Sequence, residues 1–528
     1  MKKFTIILSI AACICAFSLT SCQNMLDKAI EGQLPSSQVS YSDLSAMYEP
    51  VSGVYATCRS FSLISWGDRC VDEFRSDFIV KGNGINNQPA MEPVLEKYIY
   101  NNSDWFVYQP WERDYGIINK ANTAMLELDK FKKYCTSPAD LKLNDQYRAE
   151  IRFWRALAYF RAARYYGNIC WFDKNIPSID LRLSPHKEVY DWLIGEIKDF
   201  REKLPNEHPN KLVKKGGLTR WAADMLLAKA AADVQDFTTM EQASGEIVKS
   251  GLFNLYPDYY EMLSVNGQLC DENILELQYY YFNTNATFTN IDQWYVSPGM
   301  ATTITGKVAV GGTNKFPAGW GFSIPSQKYV DLMGKRGETI RLTSSIIYPS
   351  TTTPKGDQIG VMNANIIALI TKYRTENLPN GVVNAYCFKG FMESVDRKVN
   401  NLQYGGFNNI RIFRYADALL LYAEALVQKN GAGAGDQYLN LVRKRANLPT
   451  LAGANIDQIL EERGIELAQE WGGDRFYDLV RTGKTSELGS NFTKGEDEFF
   501  PTPQVQIDNQ PGLIQPPVSG LFPKIFGN

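Results

Sequence analysis

Residues 152–167 read RFWRALAYFRAARYYG and residues 414–426 read RYADALLLYAEAL, and these two stretches decide the fold. In the first stretch, Trp154, Leu157 and Ala158 recur at the three-to-four-residue spacing that places side chains on one face of an α-helix. The second stretch, rich in leucine and alanine, carries the same spacing. The sequence therefore predicts helices whose apolar faces are buried.

Helical patterns of this kind fill two blocks, residues 114–251 and 413–482. In the second block, Gly431–Gly435 is a predicted turn. The predicted core positions of that block are Leu419, Leu420, Leu426 and Leu441. Alanines cluster in both blocks, at Ala222, Ala223, Ala228, Ala230, Ala231, Ala232, Ala416, Ala418, Ala423 and Ala425. Because small side chains let helices approach closely, we expect helix pairs similar to degenerate tetratricopeptide units.

Two segments, residues 58–108 and 258–412, have a different texture. Gly, Pro, Asn and Thr are frequent in the longer one, which also contains short β-like runs at Asn273–Tyr281 and Ile340–Tyr348. Irregular segments of this length inside a compact protein usually carry function. The predicted fold is therefore mostly α-helical, with short strands and an irregular, loop-rich ligand-binding face.

The composition excludes several classes of protein. The chain has 528 residues and a net charge of −3, so it has no electrostatic reason to bind nucleic acid. A mean hydropathy of −0.28 argues against a polytopic membrane protein. The two histidines, His186 and His208, lie in polar segments, where we expect exposed loop side chains, and they cannot form a HExxH zinc site.

Motifs for nucleotide binding are also missing. Gly483-Lys484-Thr485 ends like a mononucleotide-binding loop, but Asp478 occupies the position of the first glycine of that motif. No G-x-G-x-x-G sequence opens a βαβ unit. We therefore expect neither a cofactor nor a metal ion.

The N-terminus reads MKKFTIILSIAACICAFSLTSC and indicates export. Two lysines precede the apolar run Ile6–Leu19, whose roughly 14 residues are too few to span a bilayer core. Residues 1–21 are therefore a predicted signal peptide. The ending LTSC resembles a lipobox, which predicts a lipid on Cys22, with an ordinary signal peptide as the alternative. Residues 22–40 would then form a lipidated tether.

Six cysteines remain in the predicted mature chain besides Cys22: Cys58, Cys70, Cys135, Cys170, Cys270 and Cys387. No CxxC spacing is present, so the sequence does not support a zinc ribbon or a redox motif. Cys58 and Cys70 could pair in an oxidising compartment, but buried free thiols are the favoured interpretation.

The tryptophans divide by context. Five lie in or beside helical patterns and are predicted core residues: Trp111, Trp154, Trp192, Trp221 and Trp471. The window from Tyr279 to Gln327 is different, with three charged residues and ten aromatic residues in 49 positions, although 21% of the whole chain is charged. Aromatic faces beside uncharged Asn and Thr side chains suit a neutral, polyhydroxylated ligand, because the C–H face of a sugar packs on a ring and its hydroxyls hydrogen-bond.

Further stretches complete a recognisable set. Residues 320–331 read WGFSIPSQKYVD, residues 438–448 read YLNLVRKRANL, residues 459–483 read ILEERGIELAQEWGGDRFYDLVRTG and residues 500–515 read FPTPQVQIDNQPGLIQ. In this order, behind a lipobox, the stretches quoted so far resemble the SusD/RagB family of nutrient-binding outer-membrane lipoproteins. The resemblance covers essentially the whole mature chain, with residues 41–528 as a single SusD-like body.

The resemblance implies a non-catalytic, lipid-anchored protein at the outer membrane that faces the cell exterior. Such proteins capture oligosaccharides, or in some members peptides, and deliver them to a TonB-dependent barrel transporter of the SusC type. The charged motif residues Arg475, Asp478 and Arg481 are expected to form a structural ion-pair network, and Glu461, Glu462, Glu466 and Glu470 a solvated or paired face.

The function predicted from the sequence is glycan binding without catalysis. The candidate contacts are the loop aromatics and two polar neighbours: Trp66, Trp105, Tyr281, Trp294, Tyr295, Trp320, Arg69 and Asp72. Two alternatives stay open, a peptide-binding relative and a surface glycoside hydrolase. A hydrolase would need two carboxylates projecting into one cleft.

Overall fold

The structure is a computed structural model that describes most of the two predicted helical blocks and parts of the segments between and before them. The described residues are 39–59, 66–81, 91–175, 181–279, 309–310, 313–314, 323–347, 386–387, 389, 408–470, 472 and 474–513. The helices of the N-terminal half are α1 (Glu49–Thr57), α2 (Trp66–Phe74), α3 (Met91–Glu96), α4 (Trp105–Lys132), α5 (Pro138–Tyr166), α6 (His186–Phe200), α7 (Arg220–Asp233) and α8 (Phe237–Lys249).

The later helices follow the strand-containing segment or interrupt it. They are α9 (Tyr259–Met262), α10 (Gln327–Arg336), α11 (Ile340–Ser345), α12 (Tyr415–Asn430), α13 (Asp436–Arg445), α14 (Ile456–Leu467), α15 (Asp474–Arg481) and α16 (Gln504–Asn509). Within the described residues, the predicted mostly α-helical fold is confirmed, and no helix there is both long enough and apolar enough to cross a bilayer.

Local sequence signals set the ends of the longest helices. Ser137 caps α5 in a reciprocal capping box with Asp140, and Pro138 occupies the first helical turn. At the other end Gly167 adopts a φ of 71°, and a Cβ there would meet the ring of Phe499 at 3.0 Å. Glycine therefore ends α5 where the chain must both turn left-handed and pass close to an aromatic ring.

The helices pack as successive neighbours around one apolar core. α4 packs on α5, α5 on α6, α6 on α7 and α7 on α8, and α8 also packs on α12, which contacts α13 and α14. Every residue of α7 after Arg220 is buried, because helices cover it on all sides and its surface is mainly alanine. The predicted turn at Gly431–Gly435 is confirmed between α12 and α13.

The strands in the described residues form short antiparallel pairs. They are β1 (Ile79–Lys81) with β5 (Ser323–Pro325), β2 (Asn273–Leu277) with β8 (Ile410–Arg414), β3 (Ala309–Val310) with β4 (Thr313–Asn314), and β6 (Ile346–Ile347) with β7 (Tyr386–Cys387). The first pair joins the two irregular segments, since Ile79 faces Pro325 and Lys81 faces Ser323.

The structure corrects several sequence predictions about single elements. α4 begins at Trp105 rather than near residue 114, and the β-like run Ile340–Tyr348 is helical up to Ser345 before the two-residue strand β6. A segment this short fits either a helix or a strand. Here the helical form lets the guanidinium of Arg341 donate to the carboxylate of Glu338, three residues earlier. The predicted core residue Leu441 is 43% exposed, because Leu439 and Val442 occupy the buried side of α13.

The prediction of exposed histidines is wrong for both residues. His186 opens α6 with its ring 4.4 Å from Tyr190 and 5.6 Å from Phe499, measured between ring centroids. His208 packs on Phe253 at 4.8 Å. Both side chains are buried, since aromatic rings from distant parts of the chain cover them.

Candidate functional site

Half of the predicted ligand residues fall on segments of the chain beyond the described ranges. Tyr281, Trp294, Tyr295 and Trp320 lie outside the described residues. Trp66 and Arg69 lie on α2, whose backbone is described, although their side chains are outside the description. The lipidation site Cys22 also lies outside the described residues. The ligand contacts of these residues stay predictions.

Trp105 and Asp72 can be located together with their surroundings. Trp105 is the first residue of α4, is half-buried, and meets the ring of Phe106 edge-to-face at 5.8 Å. Asp72 is buried on the inner side of α2, where it accepts a hydrogen bond of 3.0 Å from the hydroxyl of Tyr477. The carboxylate of Asp72 therefore joins the buried side of α2 to Tyr477 of α15.

A group of three buried carboxyl groups and two half-buried guanidiniums joins α2 to α4 and α5. We call its members, Asp68, Asp72, Arg113, Asp114 and Arg161, the α2 support cluster. Arg113 donates to Asp68 at 2.9 Å, and Arg161 approaches the other oxygen of Asp68 at 3.3 Å. The nearest guanidinium atom to Asp114 is Nε of Arg161 at 3.7 Å, too far for a hydrogen bond, and both oxygens of this fully buried carboxylate lack a hydrogen-bond partner in the structure.

This environment raises the pKa values of two carboxyl groups in the α2 support cluster. Burial raises the pKa of Asp72 to about 7, with Arg161 opposing the shift and Asp68 adding to it. Burial also raises the pKa of Asp114 well above its usual range, and the attraction of Arg161 does not compensate. The predicted ligand site beside Trp66 therefore lies next to a cluster in which the carboxyl group of Asp72 changes its protonation near neutral pH.

The glutamates of the 459–483 stretch belong to a different, well-neutralised network. Glu466 is fully buried and accepts from Arg414 at 2.7 Å, from Arg341 at 3.1 Å and from Arg445. Three guanidiniums and a nearby lysine lower the pKa of Glu466 to about 2, against the opposing effect of burial, which is the largest single influence. Glu470 takes a bidentate pair from Arg414 at 2.7 Å.

A second network confirms the structural interpretation of the motif residues. Asp478 accepts from Arg463 at 2.9 Å and from Arg481 at 2.6 Å, and Arg475 makes a bidentate pair with Asp77 at 2.9 Å. These side chains join α14, α15 and the segment that follows α2. Removing one partner would leave a buried charge uncompensated, so their role is to fix the packing.

Cysteine and metal chemistry find no support in the described residues. In the part of the chain that the structure describes, Cys58, Cys70, Cys135, Cys170 and Cys270 form no disulfide bond, so the possible pairing of Cys58 with Cys70 is not made. Among the described residues, no group of three or more His, Cys, Asp or Glu side chains is arranged to hold a metal ion.

The core tryptophans behave as predicted where they can be examined. Trp111, Trp154 and Trp221 are buried, and Trp192 is half-buried against Tyr159. The side chain of Trp471 is outside the description. Trp171, which was not a predicted core residue, is 37% exposed and contacts Trp192 at 5.5 Å between ring centroids.

Helix pairs that pack as successive neighbours and are held by buried arginine–carboxylate networks define a helical scaffold. Residues 314–510 match the model of the SusD family. The chain is 24% identical to SusD-like protein P38 of Formosa agariphila over 92% of this chain and 93% of that protein. It is 22% identical to a SusD-like protein of Bacteroides ovatus over 78% of this chain and 81% of that protein. Residues 314–510 are therefore assigned to the SusD/RagB family, and the SusD-like relatives align with most of the rest of the chain.

Solved structures share the same fold. Surface glycan-binding protein A from Bacteroides thetaiotaomicron, in complex with laminarihexaose, superimposes with a TM-score of 0.71 at 20% identity, covering 90% of this chain and 99% of that one. A laminarin binding SusD-like protein gives a TM-score of 0.69 at 22% identity, covering 88% and 97% of the two chains.

Proposed function

We propose that this protein is a non-catalytic glycan-binding lipoprotein. In this proposal it is anchored in the outer membrane through Cys22, faces the cell exterior, and delivers captured oligosaccharides to a SusC-type TonB-dependent transporter. Family membership and the names of the glycan-binding structures that share the fold support the glycan as ligand class. Residues 1–21 are the proposed signal peptide, 22–40 the tether and 41–528 the binding body.

The observation that carries the proposal is the pairing of β1 with β5. β1 follows α2 after a short turn, and α2 begins with Trp66 and Arg69, separated by only two residues. β5 begins at Ser323, three residues after Trp320, and three residues of chain reach at most about 11 Å.

Two further bonds fix the junction between the early and middle segments. The backbone N–H of Ser326 donates to the carbonyl of Phe78 at 2.8 Å, and its hydroxyl donates to the carbonyl of Asp77 at 2.8 Å. The early and middle irregular segments are thus tied at one place in the fold. This supports a shared ligand surface to which Trp66, Arg69, Trp105, Tyr281, Trp294, Tyr295 and Trp320 contribute.

The chemistry of such a surface suits reversible capture. Ring faces bury the C–H face of a sugar without a charged partner, so affinity comes from a few stacked rings and hydrogen bonds. Transfer to a transporter requires release, and we expect micromolar or weaker affinity, about −8 kcal/mol or smaller in magnitude.

Replacing single loop tryptophans tests the ligand surface. Trp294→Ala and Trp320→Ala should each weaken glycan binding by about tenfold or more, since each removes one stacking ring, while the melting temperature stays nearly unchanged. Affinity electrophoresis and calorimetry over a panel of glycans that includes laminarihexaose, and over peptides, would measure this.

Two other tryptophans provide the controls. Trp171→Ala removes a partly exposed ring outside the proposed surface and should leave affinity unchanged. Trp154→Ala, at 1% exposure, should destabilise the fold by about 3–5 kcal/mol. If the loop variants lose stability as Trp154→Ala does, their rings are core residues and the proposed surface is wrong.

The same panel separates the alternatives. Binding of peptides but of no glycan would favour the peptide-binding relative. New reducing ends released from a glycan, and lost on replacing one Asp or Glu, would establish a hydrolase and contradict the binding-only function.

A further inference from the structure

The α2 support cluster carries an excess of negative charge inside the protein. Its three carboxylates belong to Asp68, Asp72 and Asp114, and its two guanidiniums to Arg113 and Arg161. If every group is ionised, the cluster carries one more negative than positive charge, and all three of its carboxyl groups are buried. Burying an unpaired charge is costly, so binding one proton is the least expensive remedy.

The charged and titratable groups around the cluster do not supply the missing positive charge. They are Cys58, which follows α1, Arg75, which follows α2, Tyr165 and Tyr166 of α5, and Tyr477 of α15.

These neighbours are either uncharged at neutral pH or already interact with other charged groups. Burial raises the pKa values of Cys58, Tyr165 and Tyr477, so these groups are uncharged at neutral pH. The guanidinium of Arg75 stacks 3.9 Å above the ring of Phe476 and donates to the carbonyls of Asp497 and Glu498, and its positive charge also acts on the carboxyl groups of those two residues.

Asp114 is the acceptor best suited to the proton. It is 0% exposed, and neither of its oxygens has a hydrogen-bond partner in the structure. Asp68 is bonded by Arg113, and Asp72 receives the hydroxyl of Tyr477. A proton on Asp114 therefore removes the charge that is least stabilised by its neighbours.

We propose that the α2 support cluster is a proton-controlled support for the ligand surface: with one proton bound it seats α2, and above neutral pH it loses the proton and loosens α2. Repulsion would then act between Asp114 on α4 and the two carboxylates on α2. Because Trp66 and Arg69 lie on α2, ligand affinity falls as the pH rises, a consequence that rests on the proposed function.

The direction of the effect follows from proton linkage. The folded state holds the proton more tightly than the unfolded chain, in which aspartate has its ordinary pKa. The stabilisation is complete below that ordinary pKa and is lost as the pH rises through the folded pKa of Asp114, which burial raises well above its usual range; the neighbouring Asp72 has its pKa raised to about 7.

Hydrogen exchange of the full-length mature protein tests the support directly. After correction for intrinsic rates, the amides of α2 should exchange several-fold faster at about pH 8.5 than at about pH 6, while those of α7 should not change. Asp114→Asn, which imitates the protonated carboxyl, should remove this difference. Asp72→Asn removes the same charge and serves in the exchange measurement if the first variant does not fold.

Asp191→Asn is the matched control, because Asp191 is exposed on α6 and bonded only by Lys187 at 2.5 Å among the contacts described. It should keep the pH dependence of the wild type. The proposal is overturned if α2 exchange in the wild type is independent of pH, or if a folded Asp114→Asn protein retains the dependence.

Affinity for laminarihexaose gives a second readout that separates the two proposals. Where it binds, affinity should fall about tenfold between about pH 6 and about pH 8.5 in the wild type and stay constant in Asp114→Asn. If the exchange of α2 depends on pH but the protein binds no glycan, the proton-controlled cluster is confirmed and the proposed function is contradicted. Affinity that is equally pH-dependent in both proteins would overturn the link between the cluster and the ligand surface.

Discussion

At the scale of single residues, buried carboxylates in this protein differ in charge state according to the guanidiniums that reach them. Glu466 contacts three arginines and has its pKa lowered to about 2, whereas Asp72, which is equally enclosed, has its pKa raised to about 7. The sequence places acidic residues in both regions but does not report these partners. The sequence left the glutamates of residues 459–483 as either solvated or paired. The surroundings of Asp114 were not predictable, because Arg161 approaches it only through the packing of α4 on α5.

His186 gives a residue-scale prediction on acid stability. Desolvation lowers its pKa to about 4, with the charge of Asp233 opposing the shift, so the folded protein keeps the ring neutral. The unfolded chain binds the proton more readily, and the stabilisation present above about pH 6.5 is lost as the pH falls through about 4, amounting to about 3 kcal/mol. His186→Phe should flatten the dependence of the unfolding free energy on pH in this window, measured by urea unfolding.

The surroundings of His186 make phenylalanine a fair replacement. Its ring lies between Tyr190 and Phe499, and its Nδ1 has no hydrogen-bond partner in the structure. The parallel replacement His208→Phe removes a ring whose Nδ1 accepts from the backbone of Asn210, so it should cost stability at every pH. An unchanged acid slope in His186→Phe would show that the ring is solvated in solution.

At the scale of elements, a helix could be predicted where its apolar residues recur at helical spacing along the sequence. α12 and α14 have apolar spacing that leaves one assignment, and both lie within the predicted block. α11 does not, because its six residues, IRLTSS, fit a helix or a strand equally well until Arg341 pairs with Glu338 and Glu462. Leu441 shows the same limit, since only the position of the neighbouring helices decides which side of α13 is buried.

Two helical glycines give a matched prediction about element packing. A Cβ at Gly245 on α8 would meet the ring of Tyr422 on α12 at 2.9 Å, whereas a Cβ at Gly195 on α6 would meet nothing within 4 Å. Gly245→Ala should push α8 from α12 and destabilise the protein by about 1–3 kcal/mol. Gly195→Ala should stabilise it by up to about 1 kcal/mol through helix propensity. Equal effects in thermal unfolding would contradict the close contact between α8 and α12.

At the scale of the whole molecule, the sequence predicted a helical body with inserted irregular segments, but not how those segments meet. The β1–β5 pairing joins residues more than 240 positions apart through three-residue strands. Strands this short carry almost no periodic signal, and their register depends on backbone bonds such as that from Ser326 to Phe78. The candidate ligand residues could therefore be proposed by composition, whereas their grouping required the fold.

The predicted anchor is the property of the whole molecule that a single atom decides. If Cys22 carries the lipid, Cys22→Ala should abolish acylation, because its thiol is the predicted acceptor, and should move the protein from the detergent phase to the aqueous phase of a Triton X-114 separation. Mass spectrometry of the mature N-terminus would confirm the acyl chains.

Cys58→Ala is the control, since this buried free thiol lies in the helical body and its loss should leave partitioning unchanged. Two or more acyl chains on one residue suffice for stable anchoring, and no helix among the described residues is long and apolar enough to cross a membrane. A Cys22→Ala protein that still partitions with detergent would mean that the lipobox is not the anchor and that the signal peptide is an ordinary one.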